Sequence, residues 1–259
     1  MEKITYAFID GGYVREALNR AMTEVFGVPG ELAPETIAPD EAFKVYFYDC
    51  VDEVKRDSET AETFQARRSA QEGTISRMRS RPGMHFRPGT LSRGRRPTQK
   101  EVDVLLAVEM LTHASSRNMT HAVLVTGDLD FRPIVDALVR AGIFVEVWYE
   151  KRSYALDLPA AADFGREINW PQLYRWNTAE FQNKHYPPSD AREHYSVTAQ
   201  KIASGYCEGR NAELMRQSEY SPFILRVERP DGVHWLEHRD RQVLERYFAM
   251  QHGAKLDWK

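Results

Sequence analysis

With 259 residues, 42% hydrophobic and 28% charged, the chain is long enough for one large domain, or for a domain of about 150–180 residues with an appendage. No charged-then-apolar leader opens it and no uninterrupted run of about 18 apolar residues occurs, so secretion and membrane spanning are not expected and a cytoplasmic location is. The net charge of −3 excludes a general affinity for polyanions but hides a segregation: residues 66–100 hold ten basic side chains against Glu72 alone, after a strongly acidic stretch over 1–65. Cys50 and Cys207, neither in a CxxC pair, argue against a disulfide framework or a structural zinc site.

Residues 4–9 read as a continuous apolar strand of the kind buried on both faces of a parallel sheet, and Gly11-Gly12 lets the chain turn at once. The spacing predicts a helix over 13–25, a proline-bearing loop over 29–39, a strand over 43–48 and a long polar helix from 53 to about 79. A short strand over 84–91 leads into a flexible stretch, residues 92–97. Residues 101–115 form a helix apolar almost all round, hence expected to be buried. A strand over 122–126, a helix over 130–141 closed by Gly142, and a strand over 143–149 follow. Strands alternating with helices mean right-handed crossovers and a mainly parallel sheet. Residues 155–163 add a short amphipathic segment. Past Trp176 the character changes: a linker at 186–189, a helix over 193–216 interrupted by Gly205 and Gly209, a hairpin around Pro230-Asp231-Gly232, and a closing helix over 239–250. The expected organisation is a domain over 1–176 and a small α+β module over 177–259.

Four aspartates fall where strands end or helices begin: Asp10 after the first strand, Asp103 in Lys100-Glu101-Val102-Asp103, and Asp128 and Asp130 in Val125-Thr126-Gly127-Asp128-Leu129-Asp130-Phe131. Each alone has an ordinary explanation as a helix cap or a turn residue. Together they put carboxylates on one rim of one sheet, where they repel each other unless a hard cation such as Mg²⁺ or Mn²⁺ sits among them. The arginine block leads straight into this rim. Arg suits phosphate because its planar fork donates two parallel hydrogen bonds; the competing reading is a solvated, salt-bridged helix face.

The ordered motifs Phe8-Ile9-Asp10-Gly11-Gly12, Lys100-Glu101-Val102-Asp103, Val125-Thr126-Gly127-Asp128-Leu129-Asp130-Phe131 and Ala141-Gly142-Ile143 resemble the NYN domain. That is the branch of the PIN-like nuclease superfamily with LabA-type and DUF88 proteins. The resemblance spans roughly residues 1–170. It implies a PIN-like, Rossmannoid three-layer sandwich with a central mainly parallel sheet, and a metal site of Asp10, Asp103, Asp128 and Asp130. Thr126 then supplies a hydroxyl near the metal or phosphate, and Lys100 stands beside the scissile phosphate. The chain departs from the family at Tyr13, where Asn is usual; an aromatic there is suited to stacking on a base.

The implied activity is Mg²⁺- or Mn²⁺-dependent hydrolysis of phosphodiester bonds, with RNA the first candidate substrate and DNA the second. Arg67, Arg68, Arg87, Arg93, Arg95 and Arg96 are expected to grip the backbone, with Tyr13, Phe86 and Phe131 available for stacking. The alternatives are a non-catalytic RNA-binding or assembly protein with a structural cation, and a TOPRIM-type nuclease. TOPRIM wants Glu where Asp10 stands; a HAD-type phosphatase needs Asp-x-Asp there and is set aside. The C-terminal module is expected to select substrate, recruit a protein partner or mediate homo-oligomer formation.

Overall fold

The computed structural model describes residues 2–51, 55, 58–89, 100–191 and 198–259, without the side chains of Lys100 and Glu101. The chain divides into two compact units, one of residues 1–18 and 31–178, the other of residues 19–30 and 179–259.

The first unit is built on a six-stranded parallel sheet in the order β3-β2-β1-β4-β5-β6. Its strands are β1 (Thr5–Asp10), β2 (Ala42–Cys50), β3 (Met84–Gly89), β4 (His121–Val125), β5 (Phe144–Tyr149) and β6 (Phe164–Glu167). The connecting helices are α1 (Gly11–Phe26), α2 (Ala61–Ser80), α3 (Lys100–Ser115), α4 (Arg132–Arg140), α5 (Asp157–Ala161) and, after β6, α6 (Trp170–Arg175). Residues of α1 beyond Leu18 belong to the second unit. Every residue of β1 is buried, as a central strand covered on both faces requires. Alternate residues of four strands (Tyr6, Phe8, Tyr46, Tyr48, Ala122, Leu124, Val145, Val147) form a core with Val102, Leu106 and Met110 of α3 and Val135 and Leu138 of α4.

Two local expectations are corrected. The helix α2 starts at Ala61, not near residue 53, because the Thr60 side chain accepts from the Thr63 amide and caps it there. The helix α3 is not buried all round. Val102, Leu106 and Met110 recur every fourth residue on its inner face, while Val104 and Val108 are 63% and 53% exposed. The stretch over 92–97 lies outside the described residues.

The second unit holds α7 (Ala179–Lys184) and a six-stranded sheet in the order β12-β8-β9-β10-β11-β7. The strands are β7 (Ser189–Asp190), β8 (Gln200–Cys207), β9 (Arg210–Arg216), β10 (Phe223–Arg229), β11 (Gly232–His238) and β12 (Asp257–Trp258), and α8 (Arg241–His252) comes between the last two. The Pro-Asp-Gly hairpin is present as β10 and β11. Over 200–216 the expected helix is instead the β8–β9 hairpin. Glu208 and Gly209 both take positive φ, 50° and 77°, which is what a two-residue primed turn demands. The glycine read as a helix interruption is a turn residue. Among the described residues no helix is long and apolar enough to cross a membrane.

Candidate functional site

The chain lays down β1, β2 and β3 toward one edge, then returns to place β4 against the other side of β1. The strand order reverses between β1 and β4, and in open α/β sheets ligands bind in the crevice beyond the carboxyl ends at such a point. Asp10 closes β1, and its neighbour Ile9 pairs with Val125, the last residue of β4. Asp10 and the turn that carries Asp128 and Asp130 therefore both follow strand ends at the place where the strand order reverses.

A chain of hydrogen bonds links the two strand ends. Asp10 is buried; its Oδ1 accepts from the Tyr13 amide at 3.0 Å and its Oδ2 from the Thr126 hydroxyl at 3.1 Å. The Thr126 hydroxyl, fully buried, accepts in turn from the Asp128 amide at 3.3 Å. Asp128 then caps the short 3-10 turn Leu129–Phe131, its Oδ1 accepting from the Asp130 amide at 2.9 Å. Asp128 and Asp130 are exposed and Asp103 half-buried. Burial raises the Asp10 carboxyl above its usual range, against hydrogen bonds that lower it. Asp103, in the first turn of α3, is pushed up to about 6 by burial and then by the charges of Asp10, Asp128 and Asp130. Asp103 therefore lies within electrostatic reach of Asp10, Asp128 and Asp130.

The backbone between them is tightly constrained. A Cβ on Gly127 would come within 2.0 Å of the Ser153 carbonyl oxygen and 2.7 Å of Tyr13 Cε2. The Tyr13 ring therefore lies against the Thr126–Asp128 turn, and its hydroxyl accepts from the Glu150 amide at 2.7 Å. Phe131 is buried in the core and Phe86 nearly so.

Of the arginines read as nucleic-acid contacts, Arg67 meets both oxygens of Glu59 at 2.7 and 2.9 Å, and Arg68 pairs with Glu72 at 3.2 Å. Arg87 pairs with Glu109 at 2.8 Å and lies 5.1 Å from the centre of the Tyr46 ring. Arg93, Arg95 and Arg96 lie outside the described residues. Lys100 is the first residue of α3, three positions before Asp103.

The sequence reading passed over two neighbours of this rim. Asp49 follows the apolar run at the end of β2 much as Asp10 follows that of β1, and that repetition was the available signal. It is buried and ion-paired with Arg15 of α1.

Four carboxylates and a hydroxyl are hard oxygen donors, the chemistry Mg²⁺ and Mn²⁺ select. Among the described residues no three His, Cys, Asp or Glu side chains stand close enough together to hold an ion. The donor types suit a divalent cation, but the described side chains as placed do not form a site for one. A cavity of about 830 Å³ opens elsewhere in this unit, lined by Thr5, His121, Phe144, Trp148 and Trp176 among others, and no aspartate of the rim borders it.

The family model for the NYN domain matches residues 43–168. This region is an NYN domain. It belongs to the PIN-like nuclease superfamily, and it contains Asp103, Thr126, Asp128 and Asp130, while β1 and Asp10 precede the matched residues. The C-terminal part matches no family model. No curated protein matches the chain. Among solved structures, a protein of unknown function from Vibrio parahaemolyticus is 18% identical with a TM-score of 0.44, over 65% of this chain and 97% of that one. A putative oxidoreductase from Parabacteroides merdae is 12% identical with a TM-score of 0.28, over 64% of this chain and 31% of that one. The fold of the NYN domain rests on its own strand order, not on these.

Proposed function

We propose that this protein is a divalent-metal-dependent ribonuclease that hydrolyses RNA phosphodiester bonds at the rim where β1 and β4 diverge. The observation that supports it is the hydrogen-bonded chain from Asp10 through Thr126 to Asp128 at the crevice where β1 and β4 diverge, which brings oxygen donors to the ligand-binding end of the sheet. Asp10, Asp103, Asp128 and Asp130 hold Mg²⁺ or Mn²⁺. The cation, when bound, lends positive charge to the scissile phosphate and acidifies water at the site.

The chain's own groups do the rest. Thr126 fixes Asp10 and the Asp128 backbone in one arrangement, so it acts through Asp10 rather than on the substrate. On the family resemblance, Lys100 at the start of α3 is assigned to the scissile phosphate. Contact with the substrate backbone is assigned to Arg93, Arg95 and Arg96, since Arg67, Arg68 and Arg87 are paired with Glu59, Glu72 and Glu109. RNA is preferred to DNA on the family resemblance, and residues 177–259 act as an accessory module that selects substrate or partner in the cytoplasm.

The test is to incubate wild type and Asp128→Asn with labelled single-stranded RNA, transfer RNA and single-stranded DNA, in Mg²⁺, Mn²⁺ or EDTA. Cation-dependent cleavage by wild type alone is expected. Binding without cleavage in every condition would replace this reading with a non-catalytic RNA-binding protein.

A further inference from the structure

Arg15 leaves α1 one turn after the helix begins and reaches across to the adjacent strand end. Its Nη2 donates to Asp49 Oδ2, while Asp49 Oδ1 accepts from the Cys50 amide at 2.8 Å. Asp49 is buried and lies one residue past Tyr48, the register partner of Asp10 across β1 and β2. One Asp49 oxygen thus holds a guanidinium beside the aspartate rim, while the other is fixed by the backbone. The Arg15 side chain is 46% exposed and within electrostatic reach of Asp10. Only one of its five N–H donors is used by Asp49.

We infer that Arg15 is a phosphate-binding residue of this rim, oriented by Asp49 to donate to a non-bridging oxygen of the substrate backbone. The inference rests on the nuclease reading above. A rim of carboxylates repels a polyanion, so productive entry needs a fixed cation on the protein as well as any bound metal. Arg suits that task because its planar fork keeps donors for a phosphate after one has been committed to a carboxylate. A buried carboxylate behind the guanidinium removes the rotamer freedom that phosphate binding would otherwise have to overcome. If Arg15 served only to tie α1 to β2, its loss would lower stability and leave nucleic-acid contacts unchanged.

The experiment compares wild type, Arg15→Ala, Arg15→Lys and Asp49→Asn. Folding is checked by circular dichroism and thermal melting. Affinity for a fluorescent oligouridylate is measured in EDTA across a salt series, and cleavage rates are measured in Mg²⁺ and Mn²⁺. Loss of one phosphate contact reduces the slope of log affinity against log salt by about 0.7 for single strands, which is the result expected for Arg15→Ala. Its cleavage rate should fall by about 10²-fold, the usual cost of removing one donor to a developing charge. Arg15→Lys keeps the charge, so its salt slope should match wild type while its rate stays low. Asp49→Asn should likewise keep the slope and lose rate, because the cation remains but is no longer aimed. If Arg15→Ala does not fold, the last two variants decide the matter by the same split.

A folded Arg15→Ala with unaltered slope and rate, or Arg15→Lys and Asp49→Asn with wild-type rates, would overturn the inference while wild-type cleavage stands. Wild type that neither binds nor cleaves would overturn the nuclease reading and this inference with it.

Discussion

Replacing Asp103 by Asn tests the electrostatics of the rim without reference to turnover. The folded-state carboxyl of Asp103 is pushed up to about 6 from an ordinary 3.8, by burial first and by three neighbouring aspartates second. The folded protein therefore holds this proton more tightly than the unfolded chain does. The resulting stability is fully present below about 3.8 and is lost as pH rises through about 6. A shift of about two units corresponds to about 3 kcal/mol at full effect, and solvent screening of a half-exposed group reduces that to about 1 kcal/mol. In EDTA at about pH 8, Asp103→Asn should be more stable than wild type by roughly that amount, and the two should converge below about pH 4. Urea unfolding at both pH values measures the difference. About 1 M salt, where the screening length is about 3 Å, should shrink it. Mg²⁺ should then stabilise wild type more than the variant, since a ligand that binds only the folded state adds to its stability. A variant no more stable than wild type at high pH, or a difference that does not change with pH, would refute the crowding of carboxylates on which the proposed function depends.

Two further substitutions probe how the rim is held. Gly127→Ala places a methyl group against the Ser153 carbonyl and the Tyr13 ring, so thermal melting should show a loss of about 1–3 kcal/mol from overpacking, and cleavage should fall with it as Asp128 is displaced. Tyr13→Phe keeps the ring but removes the acceptor of the Glu150 amide; stability should fall by about 1–3 kcal/mol by urea titration, with RNA affinity in a filter-binding assay unchanged.

Much of the fold was legible because it depends on local pattern. The apolar run ending at Asp10, the glycine at 142 and the Pro-Asp-Gly hairpin each encode a strand, a helix stop or a turn through backbone sterics that act over a few residues. The β8–β9 hairpin was misread because Glu208-Gly209 lacks the usual Asn or Asp at its first position, and because alternation over 200–207 is blurred by Ile202 and Gly205. The exposed apolar positions of α3 were misread for another reason. Hydrophobicity all round a helix says how much surface prefers burial, not how many neighbours arrive to cover it.

The candidate site divides along the same line. Asp10, Asp128 and Asp130 could be picked out from the sequence because each follows an apolar strand, and residue order alone puts such positions at a carboxyl end, whereas Thr126 came only with the family resemblance. That β1 and β4 are neighbours, so that Thr126 bonds Asp10 across 116 residues, is a property of strand order that no local pattern carries. The same holds for Asp49 and Arg15, which meet only because β2 flanks β1. It holds also for Arg67, Arg68 and Arg87. Their density declared a positive block, and only the packed structure decided that Glu59, Glu72 and Glu109 stand against them. Sequence fixes the chemistry a segment can offer; which groups share that chemistry is set by long-range packing, where the gain from burying each face selects one strand order among several locally acceptable ones.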